Sequence, residues 1–518
     1  MTKPSPFICL SVFTLTLMIS GCELAPNTAK DAEITPAQSA QWIEGQFSKQ
    51  QIHEGKTAFL PLYDGFMSMA ARLYLINKAQ HHLDLQYYIW KDDYIGHMML
   101  AQLLKAADRG VKVRVQIDDQ NGTQLDDKLL ALSQHPNIQI RLFNPYKFRK
   151  LRALDYGFRM KQVNHRMHNK LIIADGTAAV TGGRNISSEY FDASDNFQFT
   201  DVDIFFTGKT VVKANQTFIR FWNDDLSYTL QQVLNDTGNM EMLKKLRGEF
   251  KREHVDAREL KRRVNIAEKQ IEQRLRKQPL HWAPAYFVAD TPAKARPHAK
   301  NGDYIYTHML ELMGEPKKNL DLVSSYFIPT QEGTDYLTRR AQQGVKIRIL
   351  TNSFQANDVA VVHAYYQQYR QQLLKNGIEL WEFKPYIVRP ERTWYEVMTG
   401  NIIPAKNKNS SSLHAKFFDL DGMVFIGSFN FDPRSAFLNT EVGLVVKSED
   451  FQKEITNAMD QYLPRVAYQL KLNEKDEIIW LEHQKNGRTI TYSHDPDTTK
   501  FQRFMMNMVT KFPGEWLM

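Results

Sequence analysis

The sequence predicts an α/β protein of two similar domains, each a mixed sheet flanked by helices, related by a pseudo-twofold axis with one shared site between them. Three observations predict it. Segments recur in order: Leu83-Asp84-Leu85 as Leu320-Asp321-Leu322, Gly110-Val111-Lys112-Val113 as Gly344-Val345-Lys346-Ile347, and Phe143-Asn144-Pro145-Tyr146 as Phe383-Lys384-Pro385-Tyr386, at offsets of 237, 234 and 240 residues. Order and spacing are kept, which marks a duplicated domain. Each copy alternates strand and helix: residues 111–117 and 345–350 have the period of a strand, and the segments 98–107 and 336–342 read as helices stopped by a glycine. A histidine–lysine pair recurs with the repeat, at His168/Lys170 and His414/Lys416.

In chain order, the start reads as an export signal. Lys3 precedes an apolar run from Phe7 to Ile19, too short for an ordinary spanning helix, followed by small residues. Ile19-Ser20-Gly21-Cys22 resembles a bacterial lipobox, so residues 1–21 are expected to be removed and Cys22 lipidated, for example with palmitate. Cys9 leaves with the signal, so the mature chain has no thiol for a disulfide. Glu23 after the cysteine favours the outer over the inner membrane in the usual sorting pattern, with the protein facing the periplasm. Residues 22–56 read as a polar tether, 57–236 as the first domain, 237–295 as an exposed, charged helical connector, 296–468 as the second domain and 469–518 as a C-terminal segment. The formal charge of +8 and pI of about 9.0 suit any polyanion and by themselves select none.

The chemistry lies in the repeated motif. His168, Lys170 and Asp175 are followed by Gly182, Gly183 and Asn185; His414, Lys416 and Asp421 by Gly427, Ser428 and Asn430. Positions i and i+2 of a strand share a face, so each copy presents one imidazole and one ammonium together. Imidazole can serve as nucleophile or acid near neutral pH, and lysine and amide groups stabilise the anionic oxygens of a phosphodiester. Thr200-Asp201-Val202 aligns with Thr440-Glu441-Val442, supplying one carboxylate per copy. There is no metalloprotease helix motif, phosphate loop or nucleophile elbow.

These motifs resemble the HKD signature of the phospholipase D superfamily, and more closely the bacterial cardiolipin synthases of the C-type branch. The shared segments include Gln86-Tyr87-Tyr88-Ile89-Trp90, Arg166-Met167-His168-Asn169-Lys170 and Gly427-Ser428-Phe429-Asn430-Phe431-Asp432-Pro433-Arg434-Ser435. The resemblance covers roughly residues 57–518 and implies two phospholipase D-like domains. It implies His168 as nucleophile, His414 as general acid, and Lys170, Lys416, Asn185 and Asn430 as phosphate ligands. It gives Asp201 and Glu441 as the carboxylates that orient the histidine of their own copy. Asp175 and Asp421 are expected to brace turns. No cofactor or metal is expected. The implied reaction makes cardiolipin from phosphatidylglycerol and a second phospholipid, phosphatidylethanolamine or phosphatidylglycerol, through a phosphatidyl-histidine. The alternatives are a hydrolytic phospholipase D, a nuclease, and a membrane-binding lipoprotein without activity. The lipid anchor argues for membrane phospholipids and against nucleic acid; no protein partner is readable.

Gly183 departs from the pattern, because the second copy has Ser428. Tyr87, Tyr88, Trp90, Tyr326, Phe327, Phe429 and Phe431 are expected to border an apolar cleft. The basic, aromatic stretch from Lys147 to Lys161 suits lipid headgroups or single-stranded nucleic acid. The C-terminal helical face of Phe501, Phe504, Met505, Met508, Val509 and Phe512 is expected to dock on the protein core.

Overall fold

The structure, a computed structural model, describes residues 55–194, 197–256, 258–277, 280–296, 299–385 and 410–518, with Leu24 and Asn27. The signal, Cys22 and most of the tether lie outside the described residues.

Among the described residues, two large mixed sheets are joined by a small two-stranded one, Phe197–Thr200 beside Ser410–Leu413. The first has nine strands in the order His281–Ala283, Thr57–Leu62, Asp203–Thr207, Ala178–Gly182, Lys170–Ala174, His82–Tyr87, Lys112–Asp118, Ile138–Phe143, Ser227–Thr229. The second has ten, beginning Ala285–Ala289, Val442–Lys447, Met423–Gly427, Lys416–Leu420, Asn319–Ser324, Lys346–Asn352, Glu379–Phe383, Ala467–Leu472. From Thr57–Leu62 and Ala285–Ala289 onward, eight positions correspond one to one. In both, the strand His82–Tyr87 or Asn319–Ser324 runs parallel to one neighbour and antiparallel to the strand that starts at the motif lysine.

Parity along the motif strand explains how the two sheets come together. Ile172 and Ala174 enter the first domain's core, while Leu171 and Ile173 enter a second apolar layer with Leu413, Val424, Ile426 and Val442 of the other half. The second copy repeats this, with Phe418 in its own core and Phe417 against the shared layer. The strand is apolar on both sides because both sides are covered. Burying each such side chain contributes about 1.5–3 kcal/mol, which holds the sheets in a fixed relation. Backbone contacts between the halves are reciprocal: His168 N donates to Thr440 O at 2.9 Å, and His414 N to Thr200 O at 2.7 Å. Each motif thus touches the other half's carboxylate segment, as a twofold relation requires.

The helices are longer than the sequence pattern indicates. Tyr94–Asp108 starts at an Asp93 cap and the second-copy helix spans Thr330–Gln342. Gly110 and Gly344, just past their ends, have φ of 98° and 92°, a conformation glycine adopts without strain. The reading of 237–295 as an exposed connector needs correction. The helices Met240–Asp256 and Arg258–Lys277 bury Leu243, Leu246, Phe250, Ala267 and Ile271 in the first core. The chain then supplies an edge strand to each sheet, His281–Ala283 and Ala285–Ala289. An alternating-charge helix still has a third face, and here that face is apolar. The segment 469–518 adds the strands Ile478–His483 and Thr489–Tyr492 to the second sheet and ends in the helix Lys500–Val509.

Candidate active site

The two motif strands deliver His168 and His414 to one cleft between the sheets, each less than a tenth exposed. Their carboxylate partners are crossed. His168 Nδ1 lies 2.9 and 3.0 Å from the Glu441 carboxylate oxygens, and His414 Nδ1 lies 2.7 Å from Asp201 Oδ2. The expectation that each carboxylate serves the histidine of its own copy is therefore overturned. The reason is the reciprocal backbone pairing, which lays each carboxylate segment beside the other half's motif. A carboxylate at Nδ1 fixes the tautomer and leaves Nε2 to face the cleft.

Lys170 donates to the His168 carbonyl at 2.8 Å, and Lys416 to the Ser325 hydroxyl at 3.0 Å. The motif asparagines are tied down differently. Asn185 accepts from Ile89 N at 3.3 Å and donates to the Tyr190 hydroxyl at 2.9 Å; Asn430 accepts from Ser325 Oγ at 2.8 Å. Ser325 Oγ ties Asn430 to Lys416, while both ends of the Asn185 amide are engaged. Asp175 and Asp421 lie away from the cleft. With φ of 51° and 49°, each accepts three backbone N–H groups of the segment entering the neighbouring strand, residues 80–82 and 317–319.

Burial sets the electrostatics. Desolvation, followed by the nearby Lys170 and Lys416, holds His168 well below its ordinary value, and His414 is lowered the same way. Desolvation also lowers Lys170 well below its usual range and Lys416 to about 8. It raises Glu441 and Asp201 to about 7 each, against the pull of the lysines. A phosphodiester anion entering beside Lys170 and Lys416 would favour their charged forms, against the burial that lowers them.

Gly183 and Ser428 are explained by what they face. A Cβ at Gly183 would lie 2.3 Å from Asp201 Oδ1. At the equivalent point Ser428 donates to Glu441, which also accepts from Ser435 Oγ at 3.0 Å. The glycine pairs with the shorter acid and the serine with the longer one, so both carboxylates reach their imidazoles.

Among the aromatics expected to line the cleft, Tyr88 does so, edge-on to His168 with centroids 4.8 Å apart. Tyr326 is only partly buried and anchors its hydroxyl on Asp358. Tyr87, Trp90, Phe327, Phe429 and Phe431 belong to the domain cores. Two residues that the sequence reading passed over take the place beside His414: Tyr190, its hydroxyl 3.3 Å from His414 Nε2, and Phe199, edge-on at 5.0 Å. The repeat contained a signal for Tyr190, which follows Asn185 by five residues as Ser435 follows Asn430.

Outside the cleft, the buried trio His363, Glu382 and Asp495 has metal-ligand chemistry. The Arg370 guanidinium bonds Asp495 at 2.9 Å and pairs with Glu382 at 3.2 Å, so a cation already fills it.

Comparison with known proteins agrees with this geometry. The family "Cardiolipin synthase, PLD-like domain" matches residues 73–222 and 309–463, one match per half. Cardiolipin synthase C of Escherichia coli K12 is 39% identical over 470 residues, covering 90% of this chain and 97% of that protein. Cardiolipin synthase 1 of Bacillus cereus is 26% identical over 387 residues, covering 74% of this chain and 61% of that protein. The crystal structure of a phosphatidylserine synthase from Haemophilus influenzae superposes with a TM-score of 0.56 at 13% identity, over 91% of this chain and 96% of that one, a likeness of fold. Matched in both halves, with the two motifs meeting in one cleft, the chain belongs to the phospholipase D-like domain family of the cardiolipin synthases.

Proposed function

We propose that the protein is a phosphatidyltransferase that makes cardiolipin from phosphatidylglycerol and a second phospholipid, phosphatidylethanolamine or phosphatidylglycerol. The observation that carries the chemistry is the pair of imidazoles, each held at Nδ1 by the other half's carboxylate, with a lysine beside each. His168 Nε2 attacks the phosphorus of the donor lipid, and the bond to the headgroup oxygen breaks. Glu441 stabilises the charge that develops on His168. His414 protonates the departing alcohol. Its proton affinity, low in the empty site, rises once the phosphate anion sits between the lysines. The acceptor glycerol hydroxyl then gives its proton to His414 and attacks the phosphatidyl-His168, releasing cardiolipin and free imidazole. Lys170, Lys416, Asn185 and Asn430 hold the equatorial oxygens throughout.

Relatedness to cardiolipin synthase C supports transfer to a lipid alcohol; with water as acceptor, the same steps give phosphatidic acid. A trapping experiment tests the histidine assignment. His414→Asn incubated with phosphatidylglycerol labelled at phosphorus should retain label on His168. Label on His414 in the reciprocal His168→Asn variant, with none on His168 in His414→Asn, reverses the roles.

Among the described residues no helix is long and apolar enough to cross a membrane. The reading at Cys22 is a lipid anchor facing the periplasm. Cys22→Ser should make the protein extractable from its membrane by high salt, where the lipidated form needs detergent, while leaving turnover of short-chain lipids intact.

A further inference from the structure

The helix Arg152–Val163 is turned inside out. Its charged pair, Asp155 and Arg159, is buried and joined at 2.7 Å, with Asp155 accepting from Lys147 N at 3.1 Å. Apart from the buried Val163, its large apolar residues face outward: Phe158 and the capping Leu151 are 69% and 66% exposed, and Leu154, Tyr156 and Met160 are exposed as well. The C-terminal helix Lys500–Val509 does the same. It rests on Met506 and Val509 and leaves Phe501 and Phe504 70% and 59% exposed, with Phe512 and Trp516 beyond. The expected docking of that apolar face on the core is thus corrected, because only its narrow edge docks.

One residue joins the two patches at the cleft. Arg434, four residues past Asn430, donates to the Asn164 side chain at 2.7 Å, at the end of the inverted helix, and to Leu517 O at 2.9 Å, in the last turn of the chain. Val509 and Met518 pack in the same cluster as Tyr326. Tyr156 lies near enough to act electrostatically on Tyr88, which covers His168. Both patches are mainly basic, the one acid beside Trp516 being Glu515, which accepts from the Tyr369 hydroxyl at 2.6 Å. From Lys147 to Val163 the sole acid is the buried, paired Asp155, and from Lys500 to Gly514 there is none, while Lys150, Lys161, Lys500 and Lys511 are exposed.

We propose that these two outward-facing apolar helices, rimmed by lysines and joined by Arg434, form the surface by which the enzyme seats on an anionic lipid bilayer with its cleft against the membrane. Exposed apolar area of this extent marks a contact surface, and aromatic side chains beside lysines suit the boundary between acyl chains and anionic headgroups. The choice of a bilayer rests on the proposed phospholipid reaction and on the basic excess of both patches.

The full chain carrying Cys22→Ser, so that no lipid anchor contributes, should co-sediment with vesicles of equal phosphatidylglycerol and phosphatidylcholine, and less with phosphatidylcholine alone. Leu151→Ser/Phe158→Ser and Phe501→Ser/Phe504→Ser should each weaken that binding at least about tenfold, with turnover of monomeric short-chain phosphatidylglycerol unchanged. Unchanged vesicle binding overturns the proposal, as does a parallel loss of short-chain turnover. A lipid-free dimer broken by the same substitutions assigns the face to a second copy and also overturns it. Vesicle binding lost as expected, in a protein that transfers no phosphatidyl group in any form, removes the proposed reaction and leaves the docking surface standing.

Discussion

Glu441, in the second half of the chain, accepts the Nδ1 hydrogen of His168, in the first, at 2.9 Å, and Asp201 returns the contact to His414 at 2.7 Å. Neither half is complete alone, because each histidine is oriented by a residue more than two hundred positions away. Glu441→Gln keeps the shape but removes the charge that stabilises the imidazolium. It should lower kcat by about 10⁴-fold, as replacing the orienting carboxylate by its amide does in the Ser-His-Asp triad. The protein should keep its fold, because Ser428 and Ser435 can still bond the amide. A kcat within tenfold of the native value would mean that Glu441 only fills space.

The glycine–serine difference predicts an ordering. Ser428→Ala removes one hydroxyl from Glu441 and leaves Ser435 in place, so kcat/KM should fall about ten- to hundredfold. Gly183→Ala puts a methyl 2.3 Å from Asp201 Oδ1, and the acid must move off His414, so the loss should be larger. Restoring turnover with Gly183→Ala/Asp201→Glu, which recreates the second copy's longer acid, would show that the two positions compensate. A Gly183→Ala enzyme as active as Ser428→Ala would contradict the packing argument.

The pH profile follows from burial. Asp201 and Glu441, raised to about 7, must be ionised to orient their imidazoles, so kcat/KM should rise as pH rises through about 7. Lys416, lowered to about 8, must stay protonated to meet the phosphate, so the profile should fall above that pH. The free enzyme should show a narrow bell. Lys416→Arg keeps the charge to much higher pH, so its alkaline limb should move up, as far as the also-lowered Lys170 allows. An unmoved alkaline limb would take Lys416 out of the charge balance.

Much of this site could be read in the sequence because duplication printed it twice. The spacing of His168 and Lys170 pointed to one strand face, but the strand starts at Lys170, and His168 lies just before it, its N–H on Thr440 O. The alignment of Thr200-Asp201-Val202 with Thr440-Glu441-Val442 found both acids. Their crossing could not be read, since a repeat shows which residues correspond and not which half each one touches. Tyr190 and Phe199 were passed over because they interrupt the symmetry: their counterparts in the other copy are not aromatic. The buried face of residues 240–277 was hidden by composition, since alternating charges on two faces dominate the pattern. The outward Phe158 and Phe501 mislead any reading that sends apolar residues inward.

Chelation is the simplest test of where the counter-charge comes from. In the proposed mechanism Lys170 and Lys416 meet the phosphate charge, and the trio His363, Glu382 and Asp495 already holds Arg370. Turnover should therefore be unchanged after dialysis against EDTA. Activity lost there and restored by one specific divalent ion would require a different account of charge stabilisation.

The last prediction concerns what attacks the phosphatidyl-histidine. Water is abundant, so transfer to a lipid hydroxyl wins only where the cleft excludes water and holds the acceptor glycerol beside His414. The wall next to His414 is aromatic: Tyr190 and Phe199 stack on each other with centroids 4.5 Å apart, and both meet the imidazole at 5.0 Å. Tyr88, in the same half as His168, covers that imidazole. Phe199→Ala opens that wall without touching a hydrogen bond, so it should shift product from cardiolipin toward phosphatidic acid while total donor consumption changes little. In cells lacking their own cardiolipin synthases, the native protein should restore cardiolipin, His168→Ala should not, and Phe199→Ala should restore less. Mass spectrometry of the lipids measures all three. If the native protein gives phosphatidic acid and the cells stay free of cardiolipin, the enzyme is a hydrolase, and the aromatic wall serves packing alone.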